Sequence, residues 1–337
     1  MGNQVVNFTK TQIEGLQVTE NGVYGKILGR VPGTVLETMR GDIGASLMVS
    51  RIMENKILFL KNIQEGRNEL MKEIVRNMRK DEDHAKKENK EKERILREKE
   101  RKKAEKESRE GKKENKGKKK KKGCIKKTKG NRWMETLDKY LETLNIKYED
   151  IERKDIKEIK EIVRKYDDNK WKVELESKPS VQTYFSRKKE IKEEKIYDNR
   201  WSSVLLFRAR ANVLGLNDRK RHKKKEQGDS NTSCRLCKGE YEDLNHFLIN
   251  CKKLEQDRNP RLMEKHKGSN DDITVGNILF DIEGEDLEDT KKMLTRMWNK
   301  RKKLEKENIK EGGIEERPRE KEENQQKRKN NRGRKPS

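Results

Sequence analysis

Apolar positions in this chain come in short, separated groups, and most of the groups carry helical spacing. From Gly44 onward Ala45, Met48, Ile52, Phe59 and Ile63 fall on one stripe, widened by Met53, Ile57 and Leu60. This predicts an amphipathic helix, followed by a second through Leu70, Ile74 and Met78. Ahead of it, Ile13, Leu16, Val23, Tyr24, Ile27 and Leu28 predict a helix weakened by Gly15, Gly22 and Gly25. Gly29-Arg30-Val31-Pro32-Gly33 then breaks the chain. Further on, Trp133, Leu137, Tyr140, Leu141 and Leu144 mark one helix, and Ile156, Ile159, Val163 and Tyr166 a second. Trp171, Val173 and Leu175 read as a short strand or extended link before Pro179, and Tyr184, Phe185, Ile191 and Ile196 as a thin-faced third helix. Trp201, Val204, Phe207, Ala211 and Leu214 give another stripe. Leu254 to Lys267 predicts a short helix interrupted at Asn259-Pro260, and Val275 to Ile282 a helical turn with an extended piece. Leu287 to Leu304 closes the pattern as a helix facing inward through Met293, Leu294, Met297 and Trp298.

Between these groups the pattern vanishes. Over residues 79–130 only Ala85, Ile95, Leu96, Ala104 and Ile125 are apolar. Glu and Lys four apart can support a solvated helix from Asp81 to Glu110, but there is no seam for a coiled coil. Residues 310–337 are glycine, charge and amide, the composition of a disordered tail. The expected fold class is mainly α: small helical bundles joined by a long charged linker, with one small metal knuckle and a basic tail. The divisions are 1–78, a charged linker 79–130, a helical region 131–230 with a basic segment, a knuckle 231–256, C-terminal helices 257–309 and the tail 310–337.

Composition sharpens this. Of 337 residues 29% are hydrophobic and 44% charged, and mean hydropathy is −1.33. Such a chain buries apolar surface only locally. Its net charge of +25 favours a polyanionic partner, nucleic acid first. No apolar run approaches the roughly 20 residues of a membrane span, and no secretory h-region is present near Met1. These features predict a protein of the nucleus or cytoplasm, not secreted, and not bound to a membrane. In a reducing compartment cysteines ligate metal more readily than they pair.

Three of the four cysteines and one of the four histidines cluster as Cys234, Cys237, His246 and Cys251, spaced C-x2-C-x8-H-x4-C. Two cysteines separated by two residues lie on one tight loop, and His246 and Cys251 close the shell from the next segment. Cys3His is a common closed set for one structural Zn²⁺, and a closed shell leaves no position for a catalytic water. Tyr241-Glu242-Asp243 ahead of Leu244, Phe247, Leu248 and Ile249 predicts a helix start, with His246 in its first turn. His222 lies twelve residues before Cys234 and is not counted as a ligand, and Cys124 is read as a free thiol. Before the knuckle, Arg208 and Arg210 lie off their helical stripe, and Arg219, Lys220, Arg221, Lys223, Lys224 and Lys225 follow within a few residues. A helix with arginines, a basic loop and a knuckle in sequence make a strip suited to a phosphate backbone. The run Lys118 to Lys122 reads equally as a nuclear address, a phosphate contact or a solvated charge run. Tyr166-Asp167-Asp168 looks like the paired aspartates of a polymerase palm, but it closes a charged helix and lacks the residue that motif carries between aromatic and aspartates. It is set aside as non-catalytic.

Two blocks carry a family resemblance. The first is Glu20 to Gly29 (ENGVYGKILG), with Met39 to Ser46 (MRGDIGAS) and Ser50 to Met53. The second runs from Leu205-Leu206-Phe207-Arg208-Ala209-Arg210 through Leu216-Asn217-Asp218-Arg219 into the Cys/His cluster, with Glu242 to Leu248 leading to Cys251. In this order they resemble the C-terminal part, thumb region and terminal CCHC knuckle, of a non-LTR (LINE-type, jockey-like) retrotransposon reverse transcriptase. The resemblance implies nucleic-acid handling, with Cys234, Cys237, His246 and Cys251 as the zinc ligands. It also implies that the family's polymerase carboxylates lie upstream of the matched segments, so no catalytic residue is assigned here. The alternatives are a polymerase part acting with a palm supplied in trans, and a protein-interaction module without nucleic-acid binding.

Overall fold

With so few β-branched runs and so many residues of good helix propensity, the chain folds as helices. In a computed structural model the described residues are 6–109, 127–198, 200–216, 233–234, 236–239, 241–267, 274–280 and 282–311. Among them the architecture is mainly helical and contains no sheet. The extended pairings are the isolated bridges Ile43 to Glu193 and Ser233 to Tyr241.

The chain divides into two units. The first comprises Met1–Tyr24, Arg40–Ser177 and Glu190–Glu193; the second comprises Gly25–Met39, Lys178–Lys189 and Glu194–Ser337. Helix α1 spans Lys10–Ile27 and α2 Leu36–Ile43. In the first unit α3 is Met48–Glu65, α4 Glu69–Arg109, α5 Arg132–Thr143, α6 Asp150–Arg153 and α7 Ile156–Glu176. Its core joins Met53, Ile57 and Leu60 of α3 to Val75, Trp133, Met134, Leu137, Leu141, Ile159 and Val163. Of the expected pattern on α3, the flank Met53, Ile57 and Leu60 supplies this core, with Phe59 and Ile63 partly buried against it. α5 starts where Asn131 accepts hydrogen bonds from the backbone N–H of Trp133 and Met134, and α7 where Asp155 and Glu158 form a capping box.

Three expectations change. The helix through Leu70 and Ile74 and the solvated helix after Asp81 are one continuous α4, so the division placed at residue 78 falls inside it. Its inward positions are Val75, Glu82 and Ala85, while Leu70 and Ile74 are exposed. Trp171 and Leu175 are not extended; they continue α7. The inward row of that helix is Ile159, Val163, Asp167, Trp171, Leu175, one residue in four. A carboxylate in the middle of this row made the seam look interrupted. The third helix expected near Tyr184 is shorter, a 3₁₀ turn Pro179–Val181 followed by α8, Gln182–Arg187. Beyond it Ile191 lies in non-helical chain, and its N–H donates to Asp168 Oδ1 at 3.0 Å.

Asp167 earns its interior position through partners. Arg40 donates to both of its oxygens at 3.1 and 3.2 Å, Leu47 N–H to one at 3.0 Å and the Ser50 hydroxyl to the other at 3.1 Å. Arg40 and Asp167 are both buried. A carboxylate so saturated is a packing element, consistent with setting the Tyr166-Asp167-Asp168 lookalike aside.

In the second unit α9, Trp201–Arg210, is central. Leu205, Leu206, Phe207 and Ala209 are fully buried, whereas Trp201 is exposed. The stripe read from Trp201, Val204 and Phe207 is thus rotated, because a helix covered on most of its circumference has no single apolar face to read. α9 packs on the terminal helix, Gly284–Glu311. Asp198 ties the two: it accepts from Arg200 N–H at 2.9 Å, Ser203 Oγ at 2.7 Å and Lys291 Nζ at 3.2 Å. The Arg200 guanidinium, then Ser203 and Lys291, hold its carboxyl well below the usual carboxylate range. Gly29, at φ 64°, lets the end of α1 approach α9; a Cβ there would stand 2.4 Å from Val204 Cγ1.

Candidate metal centre

The knuckle is built from two local devices. In the first, Lys238 N–H donates to Cys234 O at 2.9 Å, and Lys238 takes the left-handed conformation at φ 60°. This closes a turn that points Cys234 and Cys237 to one side. In the second, Asp243 Oδ1 accepts His246 N–H at 2.7 Å, starting a helical turn as the acidic sequence suggests. The turn then widens: His246–Asn250 is π-helical, and Cys251 N–H donates to His246 O at 2.8 Å. The widening serves ligation. Five residues along an α-helix overshoot a full turn by about 140°, which would separate His246 from Cys251. The i to i+5 turn brings them to one side.

All four donor atoms lie within 4.8 Å of one another. Cys234 and Cys251 sulfurs are 3.9 Å apart, and Cys237 Sγ is 3.4 Å from His246 Nε2. Cys234, His246 and Cys251 are buried and Cys237 half-buried. None of the three cysteines forms a disulfide. Cys251 is held low by the hydrogen bond from Cys234, which itself is pushed up by that same hydrogen bond and by burial. A cation at that point would stabilise both groups as thiolates. Three thiols and an imidazole converging on one point form a compact Cys3His group that can hold a metal ion.

The knuckle is continuous with the unit's core. Cys234, Leu236, Leu244, Phe247, Leu248 and Cys251 pack with Leu254, Leu262, Met293, Met297 and Trp298. Phe247 meets Trp298 edge to face at 6.2 Å. Under the sulfurs lies an ion pair: Arg301 Nε and Nη2 donate to Glu242 Oε1 and Oε2 at 2.9 and 2.8 Å, both side chains buried. Burial works against the Arg301 charge, but Glu242 and then Glu305 outweigh it and leave the guanidinium raised. Arg258 donates to the carbonyls of Leu248 at 3.0 Å and Cys251 at 2.7 Å, holding the backbone around the last ligand. Sequence reasoning missed Glu242, Arg258 and Arg301 as supports. The only signal was an acidic residue ahead of an apolar run, and nothing distinguished Arg301 from its many cationic neighbours.

The basic strip fares unevenly. Arg210 is interior: its guanidinium lies 3.5 Å from Glu194, 4.3 Å from the Phe280 ring centroid and donates to Leu279 O at 3.4 Å. It is spent on packing and is not presented to a phosphate. Arg208 is half-buried, donating through Nε to Gly29 O at 2.9 Å and lying 5.0 Å from the Trp201 ring centroid. Burial lowers its pKa. Arg219, Lys220, Arg221, Lys223, Lys224 and Lys225 lie outside the described residues, as do His222, Cys124, the Lys118–Lys122 run and the tail from residue 312. No helix among the described residues is long and apolar enough to cross a membrane. Comparisons with protein-family models, with curated proteins and with solved structures give no match.

Proposed function

We propose that this chain binds nucleic acid through a structural zinc knuckle and its basic surroundings, as the corresponding segment of a non-LTR retrotransposon reverse transcriptase would. The Cys3His convergence carries the reading. A tetrahedral zinc with Zn–S of about 2.3 Å and Zn–N of about 2.0–2.1 Å sets ligand separations of about 3.8 Å between sulfurs and about 3.5 Å between sulfur and nitrogen. The separations of 3.9 and 3.4 Å fit that shell. Four protein ligands saturate the ion, so its contribution is to fix Cys234–Cys251 in shape. The net charge of +25 and the order of the two resembling blocks supply the partner class. Binding should rest mainly on phosphate contacts, with little sequence preference.

The test is equilibrium binding of the full chain to RNA and DNA over a salt series, with Cys234→Ser and Cys251→Ser beside the wild type. The reading expects affinity to fall linearly on a log–log salt plot, and the variants to lose both zinc and most of the binding. Variants that lose zinc yet bind RNA like the wild type would remove the knuckle from the function. A second reading, a protein-interaction module, draws on the exposed Leu16, Val18, Val23 and Ile27 of α1. It predicts a main complex that survives high salt.

A further inference from the structure

The largest apolar side chain of α9 is on its outside. Trp201 is 43% exposed while Leu205, Leu206 and Ala209 beneath it are at 0%. Two cations lie over its ring, the Arg208 guanidinium carbon at 5.0 Å and Lys302 Nζ at 5.8 Å from the centroid. Lys302 also stands 5.6 Å from the ring of Trp298, which is buried. Among the described residues neither Arg208 nor Lys302 has a carboxylate partner, whereas the neighbouring Arg200 is paired with both Asp198 and Glu288. Arg208 spends only Nε, on the Gly29 carbonyl. An exposed indole with two cations over its ring, neither paired with a carboxylate among the described residues, combines an aromatic surface with positive charge.

Resting on the nucleic-acid reading above, we propose that Trp201, with Arg208 and Lys302 at its ring, is a stacking platform for an unpaired base of single-stranded nucleic acid. Every base has a face to lay on an indole, so stacking is tolerant of sequence and strengthens single-strand binding. In a duplex the faces are already stacked on neighbouring pairs, so the same surface favours single strands. The cations answer the phosphates on either side of the stacked nucleotide.

The experiment uses the full chain with 16-nucleotide oligouridylate and with an RNA duplex of equal length. Wild type, Trp201→Phe and Trp201→Leu are compared, with far-ultraviolet circular dichroism and melting to confirm equal folding. Trp201→Leu is expected to weaken oligouridylate binding about ten-fold and to leave duplex binding and the salt slope unchanged. Trp201→Phe keeps a ring and should retain most of the affinity. Indole emission should be quenched by oligouridylate in the wild type and much less in Trp201→Phe. Equal oligouridylate affinity in Trp201→Leu and wild type, or equal weakening on single strand and duplex, overturns the platform while the nucleic-acid reading stands. A wild-type chain that binds neither RNA at low salt overturns both.

Discussion

In the first unit, Met53, Ile57 and Leu60 of α3 meet Leu137, Ile159 and Val163 of two other helices in an apolar cluster that contains no cysteine. In the second, Cys234 and Cys251 are themselves core residues, packed with Phe247, Leu248, Met297 and Trp298. One core gains its free energy from apolar burial. The other also contains three thiols and an imidazole that converge and could hold a cation. Each unit additionally buries one arginine–carboxylate pair, Arg40–Asp167 in the first and Arg301–Glu242 in the second. The difference between the units should therefore lie in metal dependence.

The largest effect that can break this comparison is ligand loss. Cys251→Ser, or a strong chelator, should remove amide protection in Leu205–Ala209 and Met293–Trp298, measured by hydrogen exchange. Met53–Leu60 and Ile159–Val163 should keep theirs. Structural zinc in small knuckles contributes on the order of 10 kcal/mol, enough to decide folding of the surrounding core. Loss of protection in both sets alike would mean that the two cores do not differ in this way.

Next in size come the ion pairs. Arg301→Met leaves Glu242 buried without its guanidinium and should cost about 3–5 kcal/mol in urea unfolding. Glu242→Leu with Arg301→Met should recover much of that. Arg40→Met is expected to cost the same order through Asp167. A negligible loss for Arg301→Met alone would show that water reaches Glu242.

These pairs also mark where the sequence stopped being legible. The stripes on α3 and α5 and the start of α7 could be read because one face of each is apolar and the other wet. The metal ligands could be read because three thiols and an imidazole at that spacing have few other uses. Asp167, Glu242, Arg40 and Arg301 could not. In a chain with 44% charged residues, nothing local marks which charges go inside, since each buried one depends on a partner far along the chain. Arg210 was misplaced for the same reason, and Trp201 because α9 is covered on nearly all sides.

Lys56 gives a smaller effect confined to the first unit. Its ammonium is buried beside Asn7 Oδ1 and 4.9 Å from the Trp133 ring centroid. Burial lowers its pKa from 10.5 to about 8. Below pH 8 the fold bears the full cost of the buried charge. Between about pH 8 and 10.5 the folded lysine is neutral while the unfolded one stays protonated, so stability rises with pH across that window. Relative to Lys56→Met, the wild type should gain stability as pH is raised from 8 to 10 in chemical denaturation. A constant difference would place the ammonium in water.

The smallest effect tests the approach of α1 to α9. Gly29→Ala forces a left-handed alanine against Val204 and should cost about 1–2 kcal/mol. Adding Val204→Ala should relieve the contact and leave the conformational part.

The most direct test of the central claim is the metal content of the purified full chain, by native mass spectrometry with elemental analysis. One zinc per chain, absent from Cys234→Ser and from Cys251→Ser, is the result expected. A wild-type chain that is folded, reduced and free of metal after exposure to zinc would contradict it.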